Sequence, residues 1–205
     1  MERCPYCFKP LPESGVFDCR YEESKNAQIE DALHPGAIVG ACYQIGAVLG
    51  KGGFGITYKA FDLNMQKVVA IKEFYPDGMV TRGKLYGNIT GAKISKSEVL
   101  TMSESSGEVY RKSLDLFDRE AVALGKLDKL PNVVHAHHVF RENGTAYIVM
   151  EFVNGQSLKA MVEERGKIPE RELLSLLDPV LTALEKVHEE NILHRDIAPG
   201  PGGKR

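Results

Sequence analysis

The chain has 205 residues, 43% of them hydrophobic and 26% charged, a make-up that suits one globular domain with an appendage and argues against overall disorder. A net charge of -2 leaves no basic excess for neutralising the phosphates of a nucleic acid, so that class of partner is not expected. The longest weakly polar run, AIVGACYQIGAVLG, is too short and too rich in glycine to span a bilayer, and the N-terminus lacks the basic and apolar regions of a signal peptide. The expectation is a cytoplasmic protein.

Residues 1–35 differ from the rest. They hold three of the four cysteines, four of the ten prolines and the charged stretch RYEESKNAQIED, which together mark a small appendage and linker. Cysteines in a chain of this size without an export signal are expected as reduced thiols or metal ligands rather than as a disulfide framework. From Tyr43 the runs rich in Val, Ile, Tyr and Phe, separated by a glycine cluster and by DLNMQ, predict three antiparallel strands. Residues 113–130 change to a helical period, with Leu116, Phe117, Leu124 and Leu127 on one face. VVHAHHVF and TAYIVMEFV flank RENG, a hairpin turn signal. A second helix is expected from Pro169, with Glu170 and Glu172 at the positive end of its dipole. Its stripe is Leu173, Leu177, Leu181, Leu184 and His188, and Pro179 is expected to kink it. No internal repeat is present.

Gly50-Lys51-Gly52-Gly53-Phe54-Gly55 fits G-x-G-x-x-G, a pattern that two unrelated folds share. A dinucleotide-binding loop needs a helix after the third glycine, whereas ITYKAFD alternates like a strand. A Walker-type loop fails on spacing, since Gly46 stands one residue short of Gly50-Lys51 and Gly52 follows where Ser or Thr is needed. What remains is a hairpin tip whose missing side chains let backbone N–H groups approach phosphates. Further on, Lys72 ends the apolar run VAIK, and an ammonium on such a strand calls for a partner. Glu120 lies three residues after Phe117 and four before Leu124, on the apolar side of the predicted helix. Lys72 and Glu120 are therefore expected to form an ion pair.

With these residues assembled, the sequence resembles the protein-kinase family over roughly residues 36–198. The likeness is carried by the glycine loop, the Val-Ala-Ile-Lys strand, the inward glutamate, YIVMEFVNGQSL as strand and connector, and His194-Arg195-Asp196. GGFGITY, IKEFYP and HRDIAP resemble bacterial Ser/Thr-type kinases in particular. The resemblance implies an α+β fold: a small lobe of antiparallel sheet plus one helix, with only the first helices of the large lobe. After the appendage and linker (1–35), it divides the chain into small lobe and hinge (36–153) and the start of the large lobe (154–205). It implies ATP and Mg2+ as cofactors and a protein hydroxyl as acceptor of the γ-phosphate, with the protein substrate unspecified. Lys72 would contact the α- and β-phosphates, Glu120 would hold Lys72, and Asp196 would accept the proton of the hydroxyl. Gly50, Gly52, Gly53, Phe54, Gly55 and Thr57 would cover the nucleotide. Leu49 and Ala70 would line the adenine slot, Met150 would control access behind it, and Glu151 to Val153 would offer backbone hydrogen bonds to its edge.

The family pattern breaks at three places. Thr57 stands where valine is usual, Ala198 where Ser/Thr kinases carry a lysine, and Pro201 at the position of the metal-binding asparagine. Proline has no side-chain oxygen for magnesium, and Asp-Phe-Gly does not occur in the chain. The ending GPGGKR reads as a tail that does not continue the catalytic loop, with a shifted frame or premature stop as the expected cause. These 205 residues are therefore expected to transfer no phosphate by themselves.

Cys4-Pro-Tyr-Cys7 followed by Cys19 resembles the first half of a zinc ribbon. Its fourth ligand would fall near Glu22, with His34 or Cys42 as substitutes, so bound Zn2+ and an unmetallated remnant both stand as readings. His135, His137 and His138 are read as surface strand histidines, since alternation sends them to different faces. Three functions from different classes follow: a kinase fragment, a pseudokinase-like nucleotide- or partner-binding module, and a zinc-ribbon adaptor.

Overall fold

In this computed structural model the described residues are 3–13, 19, 29, 31–83, 96–127, 130–193 and 197. The strands are β1 (Ile38–Val39), β2 (Tyr43–Gly52), β3 (Gly55–Asp62), β4 (Lys67–Phe74), β5 (Val80–Arg82), β6 (Val99–Thr101), β7 (Ala136–Glu142) and β8 (Thr145–Glu151). The helices are α1 (Glu104–Lys126), α2 (Leu158–Arg165) and α3 (Glu170–Glu189). Six strands form one antiparallel sheet in the order β1-β2-β3-β4-β8-β7, and β5 and β6 pair separately. The expected three-strand start is β2, β3 and β4. Asp62 makes the turn after β3 by accepting hydrogen bonds from the backbone N–H groups of Asn64 and Met65, each at 2.9 Å.

The central strand β4 sorts its side chains by the two-residue period of a strand. Ala70, Lys72 and Phe74 point to the face covered by α1, where the Phe74 ring lies 5.2 Å from Phe117 and 5.4 Å from Tyr110. Val69, Ile71 and Glu73 point to the opposite face. There Tyr58 and Tyr147 flank them, and residues around Leu33 and Arg82 cover them. Both faces are thus covered from Val69 to Ile71 and again at Phe74, which is why VVAI reads as a continuous apolar run, while Lys72 stays partly open.

Helix α1 begins nine residues before the predicted start. Ser103 caps it, its hydroxyl accepting from the Ser106 N–H at 3.1 Å. The helix ends at Lys126, short of the predicted 130. Its buried stripe is Tyr110, Leu114, Phe117 and Ala121, while Leu116 is 61% exposed. The helical reading grouped Leu116 with Phe117, Leu124 and Leu127, but adjacent residues in a helix diverge by about 100°, and the sheet takes the Phe117 side. Helix α2 has no periodic signal of its own in the sequence and answers to the first helices of the large lobe that the resemblance implies. Ser157 starts it and Gly166, at φ 78°, ends it. Helix α3 follows Pro169 as expected and runs through Pro179 without a break in its assignment. Its buried residues are Ala183 and Val187, whereas Leu181 and His188 of the predicted stripe are exposed. Among the described residues no helix is long and apolar enough to cross a membrane.

Candidate nucleotide site and cysteine cluster

Gly53 and Phe54 close the β2–β3 hairpin, with Lys51 paired to Ile56 and Gly52 to Gly55. A Cβ at Gly50, Gly52 or Gly53 would meet no atom within 4 Å, so this edge of the hairpin is open to a ligand. Gly55 is different: a Cβ there would lie 2.4 Å from the backbone oxygen of Glu73. Its glycine is required by the close approach of the hairpin to β4, a packing reason beside the expected ligand contact. The segment after β4 fastens the tip. The Tyr75 N–H donates to Phe54 O at 3.1 Å and the Asp77 N–H to Gly53 O at 3.0 Å. The Lys51 ammonium lies 2.9 Å from the Asp77 carboxylate. IKEFYP thus continues past Lys72 into the strap of the glycine loop. The Phe54 side chain itself points outward and is exposed.

Lys72 stands between Thr57 of β3 and Ile148 of β8, and Ala70 between Lys59 and Met150. The expected ion pair is present, with Lys72 Nζ donating to Glu120 Oε1 at 3.0 Å. It is not buried, since the two side chains are 33% and 54% exposed. Lys72 also lies 5.5 Å from the centroid of the Phe117 ring. Sequence reasoning missed what fixes α1 along its length. Arg141, at the β7–β8 hairpin, donates to Asp118 Oδ2 from Nε at 2.9 Å and to Asp115 Oδ1 from Nη2 at 2.8 Å. Tyr110 donates its hydroxyl to Gly144 O at 2.9 Å. Two aspartates three apart on a helix, opposite an arginine in a turn signal, were the available clue.

Leu49 lies in β2, half-buried, just before the glycines. Met150 and Glu151 end β8, Val153 is exposed, and the Lys59 ammonium sits 4.4 Å over the Phe152 ring. Asp196, Ala198 and Pro201 lie outside the described residues.

On the far face of β4, Glu73 is 0% exposed and pairs with Arg82, which is 4% exposed, at 2.6 Å. Tyr58 donates to Glu73 Oε2 at 2.7 Å and Tyr147 to Oε1 at 2.8 Å. Arg82 also donates to the backbone oxygens of Asp31 and Ser97. Burial, reinforced by the Glu73 charge, raises the Tyr58 and Tyr147 phenols above their ordinary range. Burial works against the Arg82 charge, but Glu73 outweighs it and holds the guanidinium still more firmly charged. Nothing in the sequence flags Glu73, because it follows Lys72 directly and only the pleat separates them.

The cysteines form a second cluster. Cys4 and Cys7 are buried and Cys19 half-buried; their sulfurs all lie within 4.8 Å of one another, and none is in a disulfide. Cys4 Sγ is 3.5 Å from Cys19 Sγ. Burial alone would raise the Cys4 thiol, but the N–H groups of Cys7 and Tyr6, with the neighbouring thiols, bring it below its ordinary value. Neither His34 nor Cys42 belongs to this group.

A family profile described as the protein kinase domain matches residues 83–200. Serine/threonine-protein kinase B of Synechocystis sp. is 28% identical over 174 residues, 85% of this chain and 26% of that protein. Serine/threonine-protein kinase PrkC of Bacillus subtilis is 31% identical over 157 residues, 77% of this chain and 20% of that protein. The chain therefore spans about a quarter and a fifth of these two relatives. Among solved structures, PpkA-294 in its apo form superposes with a TM-score of 0.71 at 30% identity, covering 82% of this chain and 56% of that one. A structure of Rad53 1-466 in complex with AMP-PNP shares the fold, with a TM-score of 0.53 at 24% identity over 78% of this chain and 33% of that one.

Proposed function

From a chain that belongs to the protein kinase family, we infer the nucleotide-binding part of a serine/threonine protein kinase, which passes the γ-phosphate of ATP to a protein hydroxyl. The observation that carries this reading is the Lys72–Glu120 pair at 3.0 Å on the face shared with Thr57, Ala70 and Met150, beside a glycine hairpin with no side chains on its open edge. Phosphoryl transfer asks a protein chiefly for positioning and for cations near developing negative charge. A half-exposed lysine, steered by a carboxylate but not neutralised in a dry interior, can meet phosphate oxygens. Leu49 and Ala70 line the adenine slot in this reading, with Met150 behind it and Glu151 to Val153 along its edge.

Asp196 is assigned the proton-accepting role by its motif. Magnesium, when bound, neutralises phosphate charge; among the described residues the one group of three or more His, Cys, Asp or Glu side chains is the cysteine cluster, so no such cluster is assigned to it. Residues 36–153 are assigned to the small lobe and hinge and 154–205 to the large lobe. Pro201, without a side-chain oxygen, makes binding the informative readout for this chain rather than turnover. Titration calorimetry with ATP tests the reading. Saturable binding is expected, weakened about tenfold or more in Lys72→Ala, an effect of ~1.4 kcal/mol. Equal affinity in the variant, or no saturable binding in the parent, refutes it.

The appendage is assigned a zinc ion on Cys4, Cys7 and Cys19. With Zn–S bonds of about 2.3 Å a tetrahedral thiolate set has S···S edges of roughly 3.8 Å, and the observed spacing brackets that value.

A further inference from the structure

The β2–β3 ladder breaks just before the glycine hairpin. Ile45 pairs with Ala60 and Val48 with Tyr58, so Gly46 and Ala47 together oppose Lys59 alone; a second shift follows between Val48 and Gly50. A bulge turns a backbone N–H out of the ladder, and here the N–H has a new acceptor. Ala47 N–H donates to the backbone oxygen of Tyr6, inside the Cys4–Cys7 turn, at 3.0 Å. The same turn is seated by its neighbours. The Phe8 ring lies tilted against Phe61 of β3, with centroids 5.6 Å apart, and the Arg3 guanidinium lies 4.8 Å over the Phe61 ring. Gly46 has no side chain because a Cβ there would lie 2.7 Å from both the Phe8 ring and Tyr6 O. The cysteine turn and the bulge are therefore fitted to each other by one hydrogen bond, one aromatic contact and one obligatory glycine.

Resting on the zinc assignment above, we propose that the Cys4, Cys7 and Cys19 centre is a metal-dependent clip that holds the bulged part of β2, and with it Leu49 and the glycine hairpin. A short segment with few residues of its own to bury keeps its shape only if something cross-links it. The metal supplies that link between the Cys4–Cys7 turn and Cys19. The turn in turn presents Tyr6 O and Phe8 to β2. Without the metal the turn loses its fixed shape, the Ala47 N–H loses its acceptor, and the strand leading into Gly50 opens more often.

The test uses the whole 205-residue chain, purified under reducing conditions. Zinc content is measured by elemental analysis, and backbone hydrogen exchange is compared in zinc-loaded and chelator-stripped protein. The expected result is one zinc per chain, and exchange across residues 45–50 faster by about tenfold or more after stripping, with α1 unchanged. Cys7→Ser should reproduce the stripped state. Phe8→Ala, which keeps all three thiols, should retain zinc yet raise exchange at residues 45–50, and it serves where Cys7→Ser does not fold. Zinc retained with identical exchange in the loaded and stripped protein overturns the clip and leaves the zinc assignment standing. No retained zinc overturns both. Exchange that rises equally across the whole chain overturns the clip in favour of a general role in folding. ATP binding by the parent chain, read separately, reports on the kinase assignment in every case.

Discussion

Replacing Arg82 by methionine tests the account of the far face of the sheet. Met matches the length of the Arg stem, so the substitution removes the guanidinium while keeping most of the apolar packing. Glu73, with no exposed surface, then keeps only the Tyr58 and Tyr147 hydroxyls, and its charge has no cation at 2.6 Å. Breaking one side of a buried pair costs about 3–5 kcal/mol, against a total of roughly 5–15 kcal/mol for an ordinary domain. The two backbone oxygens that Arg82 serves, Asp31 and Ser97, lose their donors as well. The assay is equilibrium urea unfolding followed by circular dichroism, with ΔG compared at constant slope. The double variant Glu73→Gln with Arg82→Met should recover part of the loss, because the uncompensated charge is gone. A loss of under about 1 kcal/mol in Arg82→Met, the size of a surface pair, would refute the reasoning. So would a double variant less stable than the sum of the two single ones.

The same network predicts a pH dependence. Tyr58 and Tyr147 keep their protons in the folded chain to higher pH than in the unfolded chain, where phenols ionise near 10. The folded state then binds more protons above that point, so stability holds below about pH 10 and falls as pH rises through it; a melting temperature unchanged up to about pH 11 would contradict this. Glu120→Gln should change stability by less than about 1 kcal/mol, because the pair is half-exposed. It should nonetheless weaken ATP binding several-fold in calorimetry, and unchanged affinity would remove Glu120 from the site. Gly55→Ala should cost roughly 1–3 kcal/mol by forcing the hairpin off β4, whereas Gly53→Ala, with open space at its Cβ, should be near neutral. Equal melting temperatures for the two variants would show that Gly55 is not held by that contact.

The sequence by itself determined the local features: the hairpin glycines, the strand that ends in Lys72, the RENG turn, and a helix that brings Glu120 to that lysine. These follow from periodicity and turn chemistry, which act over a few residues. The ends of α1 were less legible. The Ser103 cap is a local signal, but the buried stripe Tyr110, Leu114, Phe117 and Ala121 is chosen by the sheet it packs on. Only the tertiary structure decided that Lys72 and Glu73, adjacent in the chain, serve opposite faces of one strand. One stays half-exposed beside the nucleotide site, and the other is sealed with Arg82 from a separate hairpin. The reason for Gly46 likewise lies some forty residues away in Phe8 and Tyr6. Burial and close approach depend on which segments meet, and that information is spread over contacts distant in sequence.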